Sequence, residues 1–209
     1  ELILACNKIE VPISENLLES LSHLTLASNV INSMGSASIF RAKNFENLVS
    51  LDLYKNLIET PLDNENTNNL THLTELEFTS NKINSKGSNQ IFSSPNFNLL
   101  ERLYLNLNQI EIPFAENKLT NLQFLSIKNN KITSEGCQAI FQNESLKNLR
   151  KLYLQNNNIE IPVKSSSHQT MQNLYKVNLG WNKISSEGCQ NLLRMDLLEK
   201  LEIISLSRN

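Results

Sequence analysis

Cysteine is scarce. Cys6, Cys137 and Cys189 are the only three in 209 residues, and none lies near another in sequence. An odd, scattered set of this kind is not a disulfide framework, and it favours a reducing, intracellular and cytoplasmic setting. With five glycines and five prolines, the chain has no glycine-rich phosphate loop, nucleophile elbow or low-complexity linker. Its three histidines, His23, His72 and His168, have no ligand spacing around them, so no metal site is read. No apolar run approaches the roughly 18 residues of a membrane helix, and membrane insertion is not expected. Neither sign of charge dominates: 19 Lys and Arg against 21 Asp and Glu give a net charge of −2 and a pI near 6.0. Whole-molecule electrostatics therefore draw it neither to nucleic acid nor to anionic membranes. These absences point to a protein that is not an enzyme and carries no cofactor.

Two glycosylation-type tripeptides, at Asn69 and Asn143, are the chance product of an Asn-rich chain. Glu1 stands inside an apolar, strand-like run, "ELILACNKI". The natural N-terminus is therefore expected upstream, with a removed leader left open.

What the chain has in abundance is leucine, isoleucine and asparagine in a fixed order. The pattern L-x-x-L-x-L-x-x-N-x-I recurs as "LSHLTLASNVI", "LVSLDLYKNLI", "LTELEFTSNKI", "LERLYLNLNQI", "LQFLSIKNNKI", "LRKLYLQNNNI" and "LYKVNLGWNKI". These copies centre on Asn29, Asn56, Asn81, Asn108, Asn130, Asn157 and Asn182, and partial copies end on Asn7 and Asn209. Successive Asn spacings are 22, 27, 25, 27 and then 22, 27, 25, 27 again. A four-repeat block of 101 residues thus occurs twice, which explains why "NNKITSEGCQAIF" returns as "WNKISSEGCQNLL".

In L-x-L the two leucines point one way and the middle residue the other, which is strand geometry. About 20 residues then remain to return the chain. Parallel strands joined by such crossovers stack into a solenoid, and no single turn buries enough apolar surface to stand alone. The recurrent Asn sits where each strand turns into its crossover. There its amide can serve backbone groups that have left the ladder, so the seven complete copies read as a structural Asn ladder.

The crossovers are of two kinds. After Asn29, Asn81, Asn130 and Asn182 a Ser stands four positions on and a Gly six on: Ser33 and Gly35, Ser85 and Gly87, Ser134 and Gly136, Ser186 and Gly188. The Ser reads as a helix N-cap. Behind it the apolar spacing of Cys137, Ile140 and Phe141 predicts an α-helix with the cysteine on its inner face. Four glycines in one register imply close backbone approach, because Gly early in a helix otherwise weakens it. The other kind carries Pro12, Pro61, Pro113 and Pro162, each five past its Asn, which predicts extended crossovers with little or no helix. Glu10, Glu59, Glu111 and Glu160 share one register and are read as favouring neighbouring helix N-termini, the alternative being an acidic stripe for a partner.

These residues resemble the leucine-rich repeat family over the whole chain, and the long repeats resemble its ribonuclease-inhibitor-like class. The resemblance implies an α/β solenoid, a curved, horseshoe-like arc with a parallel β-sheet on its concave face. Helical and extended crossovers would alternate on the convex face. Residues 1–209 would form a single domain of about nine repeats, the first and last partial, within a longer chain or assembly.

In that family the outward strand residues line the concave surface and bind partners. Here Asp52, Glu75 and Glu77 make the surface acidic, and from Arg102 on it turns basic and aromatic. The implied protein-binding residues are Arg102, Tyr104, Phe124, Lys128, Lys151, Tyr153, Lys176 and Trp181, with Arg208 beyond them. Rings beside Arg and Lys have the composition of an interface hot spot, though rings on adjacent strands also cover one another. Tyr54, beside Lys55, suggests a second contact region. The expected role is an interaction module or scaffold for a protein or an acidic peptide segment. Two other readings are carried alongside: an extracellular or cell-surface receptor ectodomain, and a regulator of an enzyme of the inhibitor or GTPase-activating type.

Overall fold

The computed structural model describes residues 1–11, 18–63, 68–163, 171–194 and 200–209. Nine short strands follow the L-x-L segments: β1 (Leu2–Ile3), β2 (His23–Thr25), β3 (Ser50–Asp52), β4 (Glu75–Glu77), β5 (Arg102–Tyr104), β6 (Phe124–Ser126), β7 (Lys151–Tyr153), β8 (Lys176–Asn178) and β9 (Ile203–Ser205). They form one open sheet in sequence order, every pair parallel. The register aligns the middle leucines, Leu24 with Leu51, Leu76, Leu103, Leu125 and Leu152 in turn. All face inward, and Leu51, Leu76, Leu103, Leu125 and Leu152 are sealed from solvent. The second leucine of each motif lies beside them, with Leu53, Leu105 and Leu154 equally buried. Stacking makes this core continuous, since each turn supplies one layer that only its neighbours can cover.

Four α-helices lie in the long crossovers: α1 (Ser33–Arg41), α2 (Ser85–Ser93), α3 (Ser134–Phe141) and α4 (Ser186–Leu193). Their inner faces bury Ile39 and Phe40, Ile91 and Phe92, Ile140 and Phe141, and Leu192. A short 3-10 turn follows each of the first three, at Lys43–Phe45, Pro95–Phe97 and Glu144–Leu146, and buries Phe45, Phe97 and Leu146. The extended crossover between β5 and β6 is described throughout and contains no helix. Pro113 stands in it, Pro61 and Pro162 stand in described stretches without helix, and Pro12 and His168 lie outside the described residues.

The helix caps differ from the expectation by one residue. The N-caps are Asn32, Asn84, Thr133 and Ser185, whose side chains accept from the N–H of Gly35, Gly87, Gly136 and Gly188. The recurrent Ser is the first helical residue, and its hydroxyl serves the next turn instead. Ser33 Oγ accepts from the N–H of Glu59 and Thr60, Ser85 Oγ from Glu111 and Ile112, and Ser134 Oγ from Glu160 and Ile161. The glycines meet the preceding turn. A Cβ on Gly35, Gly87, Gly136 or Gly188 would overlap the carbonyl oxygen of Glu10, Glu59, Glu111 or Glu160. The glutamate register thus acts through its backbone, clamped between one helix and the next. Of the four side chains, Glu59 reaches a cap, accepting from Asn84 Nδ2 at 2.8 Å.

Each recurrent Asn spans two turns. Asn56 Nδ2 donates to Leu53 O and, in the preceding turn, Leu26 O, while its Oδ1 accepts from Ile31 N at 3.0 Å. Asn29, Asn81, Asn108, Asn130, Asn157 and Asn182 repeat this arrangement. The residue before each Asn, from Cys6 to Arg208, adopts a left-handed φ of 53–60°. This turn places Cys6 beyond β1 and exposed, although the run "ELILACNKI" reads as strand-like throughout. Cys137 takes the buried helix position held by Ser36 and Ser88, and burial pushes its thiol far up. Cys189 is half-buried in the same register.

Candidate interaction surface

Strand alternation leaves the first and third residues of each strand on the outer face of the sheet. Tyr104, Phe124 and Tyr153 form a continuous row there, with ring centroids 4.9 Å apart for the first pair and 5.4 Å for the second. Cations frame the row. Lys128 Nζ lies 4.7 Å from the Tyr153 ring centre and Lys176 Nζ 5.7 Å from it. Lys151 Nζ lies 5.7 Å from the ring of Tyr175, whose hydroxyl raises the Lys151 pKa by hydrogen bonding. Rings and cations so arranged are mutually stabilising, and each ring stays only partly buried.

Trp181 and Lys128 follow their strands rather than lying on them. Trp181 occupies the left-handed turn before Asn182 with φ 58° and is 54% exposed. It stacks with Arg208 at 4.3 Å instead of extending the tyrosine row. Arg102 is paired with Glu75 at 3.1 Å, so its charge is shared with the acidic side. Tyr54 is 40% exposed on the acidic half, and its N–H donates to Asp52.

Two shallow depressions mark the surface. One, of about 500 Å³, is lined by His23, Asp52, Glu75, Glu77 and Tyr104 among others. Burial, followed by neighbouring negative charge, raises the pKa of Asp52 and Glu77, against the backbone hydrogen bonds that each accepts. The other, of about 210 Å³, is lined by Arg102, Phe124, Arg150, Lys151 and Tyr175 with Glu101 and Gln123. Arg150 and Tyr175 precede their strands, outside the L-x-L positions, so the motif gave no reason to single them out. Comparison across the 101-residue block does: Val49 becomes Arg150 and Thr74 becomes Tyr175.

That comparison separates the two faces of the sheet. Inward positions repeat, as in Leu24 and Leu125, Leu51 and Leu152, or Ile31 and Ile132. Outward positions do not. Ser50 becomes Lys151, Asp52 becomes Tyr153, Glu75 becomes Lys176, Ala27 becomes Lys128 and Ser80 becomes Trp181. Among the described residues no group of His, Cys, Asp and Glu side chains is placed to hold a metal ion, and no helix is long and apolar enough to cross a membrane.

A single parallel sheet with one strand per turn, an Asn stack along its edge and crossovers of alternating kind define a parallel-stranded solenoid. Models described as Leucine Rich repeat match residues 69–87, 118–141, 148–168 and 170–193. The chain carries leucine-rich repeats, and its fold agrees with that family. No curated protein sequence matches it significantly. Among solved structures it is similar to an internalin C2 from Listeria monocytogenes, with 27% identity over 93% of this chain and 84% of that one and a TM-score of 0.54. It is also similar to TLR13 in a complex with ssRNA13, with 26% identity over 90% of this chain and a TM-score of 0.65. An internalin, InlF, from Listeria monocytogenes shares the fold with 24% identity over 92% of this chain and a TM-score of 0.59. The chain spans about half the length of the InlF structure (49%) and a quarter of the TLR13 structure (25%).

Proposed function

We propose that this chain is a non-enzymatic interaction module whose outer strand face holds a protein or peptide partner. The observation that carries this reading is the ring row Tyr104–Phe124–Tyr153, framed by Lys128, Lys151 and Lys176 on a stiff sheet. A core that repeats across 101 residues under a face that does not is what selection for binding, rather than for packing alone, would leave. The solenoid supplies display. Its side chains are already held by neighbouring turns, so little ordering entropy is lost on binding. Scattered free cysteines support a reducing, intracellular setting.

Affinity purification from cells expressing the full-length protein names the partner, whose binding is then measured directly. The double variant Tyr153→Ala/Trp181→Ala is expected to weaken that binding by about tenfold or more, as loss of aromatic hot spots does. Its melting temperature should stay near that of the parent. Unchanged affinity in a folded double variant removes the site. Single-stranded RNA serves as the competing ligand, since the complex of the TLR13 neighbour contains one. Tight RNA binding lost in the same variant would assign the face to nucleic acid instead.

A further inference from the structure

Resting on the docking face just proposed, we infer that its occupant is an extended peptide segment of opposite charges. It lies across the strands with a Lys or Arg over the carboxylates of β3 and β4. An Asp or Glu about six residues away sits over Lys151 and Lys176.

The charge changes sign once along the sheet. Asp52, Glu75 and Glu77 stand on β3 and β4, and Lys151 and Lys176 on β7 and β8. The Arg102–Glu75 pair on adjacent strands marks the crossing point. A polyanion laid over the whole face would meet the three carboxylates, and a polycation the lysines. Only a segment carrying both signs complements the surface throughout.

Geometry sets the spacing. The strands are two or three residues long, so a guest running along one would leave the face within about 10 Å. Across the sheet, β4 and β8 are four strand steps apart, about 19 Å at ~4.8 Å per step, which an extended peptide covers in about six residues. One depression spans β2 to β5 and the other runs along the starts of β5 to β8, and Tyr104 and Phe124 line one each. The middle of the segment would thus rest on aromatic surface while its charged side chains reach down at either end.

One further observation favours such a guest. The acidic side holds its carboxylates against burial and mutual repulsion, a cost that an incoming cation relieves. Either chain direction meets these demands, so the signature is the spacing of opposite charges rather than their order.

The test is selection of a displayed library of random peptides, about twelve residues long, on the full chain. Enriched peptides are expected to carry Lys or Arg about five to seven positions from Asp or Glu. A selected peptide whose cation is replaced by Gln should lose about tenfold in affinity, and nothing against the triple variant Asp52→Asn/Glu75→Gln/Glu77→Gln. Enrichment without that spacing, abolished by Tyr153→Ala/Trp181→Ala, would keep the docking face and overturn the two-charge guest. Enrichment indifferent to Tyr153 and Trp181, or none at all, removes the docking face and the guest together.

Discussion

Gly87 has no room for a methyl group. An added Cβ would overlap the Glu59 carbonyl oxygen and stand 3.1 Å from Ile83 Cγ2. The first obstacle is backbone held by a bond to Ser33 Oγ at the same residue, so it cannot swing aside as a side chain would. Gly87→Ala is therefore expected to destabilise the fold by roughly 2–3 kcal/mol, as overpacking in a close contact does, read as a lower denaturation midpoint with an unchanged slope. Electrostatic strain sits on the opposite face. Glu77 has its pKa raised above the ordinary 4.5, burial being the first cause and Asp52 and Glu75 adding to it. A carboxyl whose folded pKa exceeds its unfolded one weakens the fold at neutral pH. The penalty lifts as pH falls through the folded value. Glu77→Gln keeps an acceptor for the Thr79 N–H and removes the charge. The variant should melt higher than the parent at pH 7, with the difference shrinking as the pH approaches 4.5. A difference constant with pH would show that the carboxylate's charge is not the cause. Both features were partly legible: four glycines in register announced a close approach, but which atom approached them needed coordinates.

Among the elements, the strands, the helices and their alternation follow from the Asn period, because a 101-residue echo leaves one register for each L-x-L segment. The helix cap lies one residue before the recurrent Ser because the capping position varies in identity and so shows no pattern. Asn32, Asn84, Thr133 and Ser185 all cap, and any of them can. A second polar ladder escaped for the same reason. Asn47, His72, Asn121, Asn148 and Asn173 each stand nine residues before a recurrent Asn. Each bonds a carbonyl of the preceding turn, namely Glu19, Glu46, Asn98, Thr120 and Lys147. Counting forward from one Asn hides them, since crossover lengths differ, while counting back from the next reveals them. Leu99 interrupts the series and is 43% exposed. By register Leu99→Asn would donate to the Thr71 carbonyl. The variant is expected to gain about 0.5–1 kcal/mol, the net worth of one hydrogen bond, in a chemical denaturation curve. A loss would mean that Leu99 contributes more by packing than its exposure suggests.

On the scale of the whole molecule, long and short turns are not interchangeable layers of one stack. Each α-helix presents a glycine to the turn before it, and α1, α2 and α3 each present a serine hydroxyl to the turn after, so both contacts fall on turns of the other kind. The unit of assembly is therefore a pair of turns, although the strands alone would allow any number. This was only half visible in the sequence: the alternation could be read, but the backbone contacts that make it obligatory could not. Excising residues 30–81 removes one pair and joins Asn29 to Lys82, so an extended turn still precedes a helical one at the junction. That shortened chain is expected to unfold cooperatively, with a smaller denaturant slope in proportion to the surface it no longer buries. Excising residues 30–56 removes one turn and sets two extended crossovers side by side. The helix that should clamp them is gone, and the backbone groups it satisfied are left unpaired where water is scarce. This variant should be less stable by several kcal/mol than the paired excision, although it is the longer of the two chains. Equal stability per turn in the two excisions, measured by urea denaturation followed by circular dichroism, would mean that stacking energy resides in the strands and the Asn ladder alone.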